Sequence, residues 1–379
     1  MKIIIAPDSF KGTLTALEVA EILTDVGQTL MPSSEFCFKP LSDGGDSALE
    51  CIKLYQKGGT VITKAHDPFM NLIDVEYFVS DMSLAFIESA SVIGLNLVGE
   101  KKDPLITTSY GIGDVILDAL NRGISNIALS LGGSSTNDGG AGMAAALGYK
   151  FYDDEFFEFL PRGGTLDKIK HIEKSSLQKK LNGVNIIALC DVEALPYGTN
   201  GASVVFSPQK GATTSEIVNK LESGMKHFCG LLSGLFRCNF SKLKGGGAAG
   251  GLGMGCKAFL NSDLMSGFDM ILNISGLEET MKDADIIITG EGKLDKQSFS
   301  GKVVGKLATL AKKHALPIYA ICGCLDVDES ILKEHNIKAY KSSTKEGRTQ
   351  SELRICARNE LIEAAKTLFR EILEVNKES

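Results

Sequence analysis

No stretch of this 379-residue chain approaches the roughly 18 consecutive apolar residues that a membrane-spanning helix needs. Met1-Lys2 runs straight into Ile3-Ile4-Ile5, too short for the apolar core of a secretory leader and without a cleavage site. Lys and Arg gather in no block, and the formal net charge is −7. The electrostatic footprint of a general nucleic-acid binder is therefore missing. Histidine is scarce and scattered (His66, His171, His227, His314, His335), which argues against a histidine-based triad or metal centre. The nine cysteines include one close pair, Cys322-Gly323-Cys324, whose spacing matches no zinc motif. They read as reduced thiols, and the expected location is cytoplasmic. Also lacking is any G-x-x-x-x-G-K-[ST] segment, so this is not a standard P-loop protein.

What remains is an ordinary globular profile, 44% hydrophobic and 23% charged, in a chain long enough for two domains. KIIIAP reads as a buried strand, and Thr15-Ala16-Leu17-Glu18 as a capping box that opens a helix. The same strand–loop–helix grammar returns late, in DADIIITGEGKLD (strand then loop), SGKVVGKLATLAKKHAL (helix) and PIYAICG (strand). NIKAYKSS is a further strand candidate, and NELIEAAKTLFREILE a closing helix. Between them, VITKAHDPFMNLIDVEYFVSDMSLAFIESA has hairpin character, with helical spacing at 110–121, 139–147 and 214–236. The fold expected is α/β: a Rossmann/flavodoxin-like parallel-sheet domain made of 1–61 and 283–379, with a mixed α+β domain inserted at 62–282 and a ligand in the cleft between them.

Ligands of open parallel sheets sit at the carboxyl ends of strands, so loops that follow strands are the candidates. Asp8-Ser9-Phe10-Lys11-Gly12 follows the first strand and offers Lys11 beside a helix start. LGGSSTNDGG (131–140) follows the apolar NIALS and precedes a helical stretch. It brings Gly132, Gly133, Ser134, Ser135, Thr136, Asn137 and Asp138 to a loop with the layout of a phosphate cradle. ITGEGKLDKQSFSGK (288–302) sets Gly290, Glu291, Lys293 and Asp295 beyond an apolar run. Carboxylates beside lysines there suit a magnesium nucleotide, with Glu291 and Asp295 taking the metal directly or through water and Lys293 the phosphates. Asp43 lies among paired glycines in PLSDGGD, and Asp191 at an apparent strand end, where an acid–base carboxylate is common. Gly245-Gly246-Gly247-Ala248-Ala249-Gly250 matches G-x-G-x-x-G literally. The strand that a dinucleotide fold would place before it is missing, so we read it as a close-packed or ligand-lining glycine loop.

Taken in order, APDSFKG (6–12), PLSDGGD (40–46), TSYGIGDVI (108–116), LGGSSTNDGGAG (131–142), PQKGA (208–212), GGGAAGGLGMG (245–255) and ITGEGKLDKQS (288–298) resemble the bacterial type I glycerate kinase family over nearly the whole chain. The resemblance implies two α/β domains, one inserted in the other, and phosphorylation of D-glycerate with ATP and Mg²⁺. 2-Phosphoglycerate is the favoured product. Ser47-Ala48 and Ala194-Leu195-Pro196 depart from the family pattern, as does 341–358. Under the resemblance, Lys11 and the 132–140 backbone would hold anions. Asp191 would be the base, with Asp43 and Asp8 as alternatives. Two other functions fit the residues: a kinase for another small hydroxy acid, and a non-catalytic sensor of nucleotide or glycerate. The oligomeric state stays open, a homodimer included.

Overall fold

The computed structural model describes residues 1–375 apart from Lys11, Asp46, 175–180, Asn182, Ser300 and 342–349. Its strands, in chain order, are β1 (Lys2–Ile5), β2 (Glu35–Phe38), β3 (Gly58–His66), β4 (Leu72–Ser80), β5 (Leu84–Glu88), β6 (Asn126–Ser130), β7 (Lys150–Tyr152), β8 (His171–Glu173), β9 (Asn185–Leu189), β10 (Asp263–Met265), β11 (Ile286–Asp295), β12 (Ile318–Asp326) and β13 (Ile337–Lys341). The chain divides into two compact units, Met1–Tyr55 with Gly267–Ser379, and Gln56–Ser266. The sequence placed these divisions at 61/62 and 282/283. The first shifts because β3 begins at Gly58 and pairs with β4 along its whole length. The second shifts because Gly267 lies on the Asp43–Gly44 backbone, where a Cβ would come within 2.5 Å of Gly44 Cα.

The first unit carries an all-parallel sheet in the order β13-β12-β11-β1-β2. Ile3 and Ile5 join Ile286 and Ile288 in a core with Val19, Leu23, Leu361, Leu368 and Phe369 from two helices, Ala16–Leu30 and Gln350–Val375. Ile4 and Ile287, of opposite parity, are equally buried, as a parallel strand covered on both faces requires. The helix Ala16–Leu30 starts at the expected capping box: Glu18 N donates to Thr15 Oγ1, and Thr15 N to Glu18 Oε2. One expectation changes. GEGKLD, expected as a loop, continues β11 and stays paired with β12 as far as Asp295 and Asp326. Lys293 Nζ lies 2.8 Å from Asp326 Oδ2, so the polar extension satisfies its charges across the strand pair.

The second unit contains a six-stranded sheet, β10-β9-β6-β5-β4-β3. The hairpin reading holds for β3, β4 and β5, which are antiparallel. The other half is parallel, β5 to β6 to β9 to β10, so one sheet joins an antiparallel and a parallel half. The cause is local: NIALS and NIIAL are continuous apolar runs that need cover on both faces, and helices supply it. The expected helices lie at Tyr110–Asn121, Ala141–Ala146 and Ser215–Phe236.

Candidate active site

In the first unit the carboxyl ends of β1 and β11 form one side of a cavity of about 320 Å³. Past β1, Ala6 N still donates to Ile288 O and Asp8 N to Gly290 O, so the parallel pairing carries Asp8 to the cavity mouth. Asp8 Oδ1 accepts Ser9 N at 2.6 Å. Asp43 enters from the turn after β2, where its Oδ1 accepts Gly45 N at 2.9 Å and Gly44 takes a left-handed φ of 93°. Glu291 and Lys293 project from β11, and Lys302 from the start of the helix Val303–Lys313. Phe10, Leu353 and Ala357 give the same cavity an apolar wall. Gly290 lies under Phe10, and a Cβ there would be 3.2 Å from the ring and 2.8 Å from Ile321 O. Asp8 and Glu291 are both nearly buried, and Ser9 Oγ has no hydrogen-bond partner among the described residues. A buried hydroxyl left unpaired beside carboxylates and lysines marks a place for a polar ligand. Lys11, expected on this loop, lies outside the described residues.

One expectation needs revision, and one lining residue is new. Asp295 was paired with Glu291 as a metal ligand, yet four residues of extended strand separate them by roughly 13 Å. At that spacing one ion does not take both carboxylates directly. Asp295 instead closes the turn Lys296–Phe299: its Oδ1 accepts Ser298 N, and its own N–H reaches Ser298 Oγ. Glu360 was not anticipated. It lines the cavity from the last helix at 9% exposure. Its signal was present in the sequence, because it interrupts the apolar stripe Leu353, Ala357, Ala364 at helical spacing.

In the second unit the loop after β6 is largely internal. Gly132 is half-buried and Gly133 exposed, but Ser134, Ser135, Thr136, Asn137 and Asp138 are buried. Asp138 organises the loop from within. Its Oδ2 accepts Ser109 N at 2.7 Å, Ser109 Oγ at 2.9 Å and Gly142 N at 3.1 Å, while Oδ1 accepts Gly140 N. Burial raises its pKa, and those donors oppose the shift. Ser135 Oγ donates to Ile93 O, and Asn137 Nδ2 to Ser203 Oγ. The second glycine-rich segment packs directly on the first. Ala249, Gly250 and Gly251 are all left-handed, Gly139 N donates to Gly250 O, and a Cβ on Gly250 would meet Thr136 O at 2.0 Å. This close packing accounts for the glycine run. Lys210 from PQKGA, not singled out in the sequence, donates to Ser134 Oγ and Thr136 O from a fully buried position.

Asp191 follows β9, and its Oδ1 accepts Ser266 Oγ at 2.6 Å, so neighbouring parallel strand ends hold the carboxylate. It stays partly exposed. The seven motifs thus fall into two groups. APDSFKG, PLSDGGD and ITGEGKLDKQS meet at the first unit's cavity, and the other four interlock around residues 134–140.

Comparison with known proteins identifies the family. The family model described as the glycerate kinase family matches residues 3–373. Glycerate 2-kinase of Escherichia coli K12 is 39% identical over 344 residues, 90% of each chain. Glycerate kinase of Bacillus subtilis 168 is 37% identical, again over 90% of each chain. A crystal structure described as “putative glycerate kinase 2” from Salmonella typhimurium LT2 superposes with a TM-score of 0.83 at 33% identity, covering 100% of this chain and 99% of its own. The chain therefore belongs to the glycerate kinase family, and it is a kinase enzyme with glycerate kinase activity.

Proposed function

We propose that the reaction is transfer of the γ-phosphoryl group of Mg-ATP to the 2-hydroxyl of D-glycerate, giving 2-phosphoglycerate and ADP. The observation that carries this reading is the first unit's cavity, which joins Asp8, Asp43, Glu291, Lys293 and Lys302 to an apolar wall. Phosphoryl transfer asks a protein chiefly for alignment and charge stabilisation, and lysines beside carboxylates supply both. The 2-position is supported by the 39% identical relative named glycerate 2-kinase.

Among the described residues no three acidic, histidine or cysteine side chains converge as a metal cage. Magnesium does not need one, because it binds through one or two carboxylates and completes its shell with water and substrate phosphates. Asp8 and Glu291, sharing one cavity, fit that habit and would hold it. Bound magnesium supplies neutralisation of charge at the phosphates. Lys293 and Lys302 add fixed positive charge, and Phe10, Leu353 and Ala357 exclude water from one side. For the base we retain Asp191, whose carboxylate Ser266 orients, with Asp43 as the alternative. A carboxylate is an adequate acceptor where the proton leaves late in a loose transition state.

The test is ADP release from Mg-ATP with D-glycerate, with L-glycerate and no-acid controls, and with enolase added to the product. Turnover confined to D-glycerate and immediate consumption by enolase is the expected result. A product that enolase accepts only after a phosphoglycerate mutase would move the phosphate to the 3-position. ADP release that favours another hydroxy acid would replace glycerate as the preferred substrate.

A further inference from the structure

The loop Leu131–Gly140 has an accessible end, Gly132 and Gly133, and a buried end that begins at Ser134. Lys210 reaches the joint between them. It is 2% exposed, and its Nζ donates to Ser134 Oγ at 2.9 Å and to Thr136 O at 2.7 Å. A tight turn fixes its direction. Lys210 N donates to Ser207 O, and Gly211 N to Pro208 O. Gly211, at φ 109°, presses on the Lys102 backbone, where a Cβ would sit 2.2 Å from the carbonyl oxygen. A side chain at 211 would force this turn and the Lys102 backbone apart.

An ammonium is a costly choice for a purely mechanical clamp, because burial strips it of water. Burial pushes its pKa down to about 7, opposed by the charge of Asp138. Thr136 Oγ1, Asn137 Oδ1 and Ser207 Oγ, on the segments that Lys210 joins, are buried without a hydrogen-bond partner among the described residues. A segment selected only for rigidity would pair such groups or replace them.

We propose that Lys210 is a positioning residue for the kinase reaction: by holding Ser134 and Thr136 it fixes the backbone of Gly133 to receive an anionic group of one substrate, while Ser89 holds Gly132 beside it. That group is the carboxylate of glycerate or a phosphate of the nucleotide. The inference rests on the reading of this loop as an anion-binding segment. Loss of the ammonium loosens the accessible end, and the effect falls on binding of that one substrate more than on the folded fraction.

The experiment is steady-state kinetics of the full chain carrying Lys210→Met, Lys210→Arg or Gly133→Asn, with glycerate and Mg-ATP varied separately and rates normalised to folded protein. Lys210→Met is expected to raise KM for one substrate about tenfold and to leave the other within about twofold, with Lys210→Arg recovering part of the loss because it keeps a cationic donor. A glycerate-specific rise assigns the carboxylate, and an ATP-specific rise the phosphate. Unchanged KM values, with kcat and melting temperature falling together, would reduce Lys210 to a structural brace. Where Lys210→Met fails to fold, Lys210→Gln is read in the same way. Gly133→Asn tests the underlying reading, because asparagine tolerates the φ of 61° while adding bulk at the accessible end. If Gly133→Asn raises a KM and the Lys210 variants do not, the loop binds substrate and the role of Lys210 is wrong. If neither position moves either KM, the loop is not a binding segment.

Discussion

Ser109 donates both its backbone N–H and its hydroxyl to Asp138 Oδ2, at 2.7 and 2.9 Å, and so ties TSYGIGDVI to the glycine-rich loop through one buried carboxylate. Gly140 N, Gly142 N and Thr108 Oγ1 donate to the same carboxylate. Asp138→Ala would strand these donors away from water, and we expect a loss of about 3 kcal/mol or more. Asp138→Asn keeps an acceptor oxygen and should lose roughly half as much. Urea unfolding of the purified variants measures both. Equal stability of wild type and Asp138→Ala would show that the carboxylate does not organise the loop.

Close packing of the two glycine segments leads to a second prediction. Gly250→Ala places a methyl 2.0 Å from Thr136 O at a φ of 68°, so steric overlap adds to backbone strain. We expect a loss of roughly 3 kcal/mol or more, or no soluble protein. Gly276→Ala is the control. Its φ is 62° but no atom lies within 4 Å of the added Cβ, so it should cost only about 1 kcal/mol. Similar melting temperatures for the two variants would remove the packing argument.

The geometry of β11 separates the roles of its acids. Glu291→Gln should raise the Mg²⁺ concentration for half-maximal activity several-fold, since its carboxylate lines the cavity. Asp295→Ala should leave that concentration near wild type and cost about 1 kcal/mol of stability, the worth of a lost turn cap. Activity titrated against Mg²⁺ at fixed ATP distinguishes them. Comparable large shifts from both variants would restore the assignment made on sequence spacing.

These cases also indicate how much the sequence discloses. The strands KIII and IIIT, the capping box at Thr15 and the hairpin character of 61–90 are local, because periodicity and caps act within a few residues. Strand pairing is non-local, so Glu291 and Asp295 look adjacent in sequence until the register of β11 against β12 pulls them apart. The loop 134–138 is legible as polar, but its partners Ser109, Ser203 and Lys210 come from distant segments, so its burial is not. Glu360 was legible as a fault in an apolar stripe, but only the packed helix shows that the fault faces a cavity.

Lys210 gives stability a pH dependence of definite sign. Its ammonium has a pKa near 7 in the folded chain against the usual 10.5 when unfolded. Between those values the unfolded state binds the extra proton, so stability from this group rises with pH and is lost as pH falls through 7. From pH 7 to pH 9 the rise amounts to roughly 2 to 3 kcal/mol. Buried thiols act in the opposite direction at the alkaline end: burial holds Cys256 up at about 12 and raises Cys51 further. Their unfolded states lose protons first, which lowers stability above about pH 8.5. Wild-type stability alone therefore mixes the two. The difference between wild type and Lys210→Met isolates the lysine, because the thiols are common to both. Urea unfolding at pH 7, 8 and 9 should show that difference shifting in favour of wild type by roughly 2 kcal/mol or more. A difference constant across the series would mean that Lys210 stays protonated in the folded chain, paired with an anion strong enough to offset its burial.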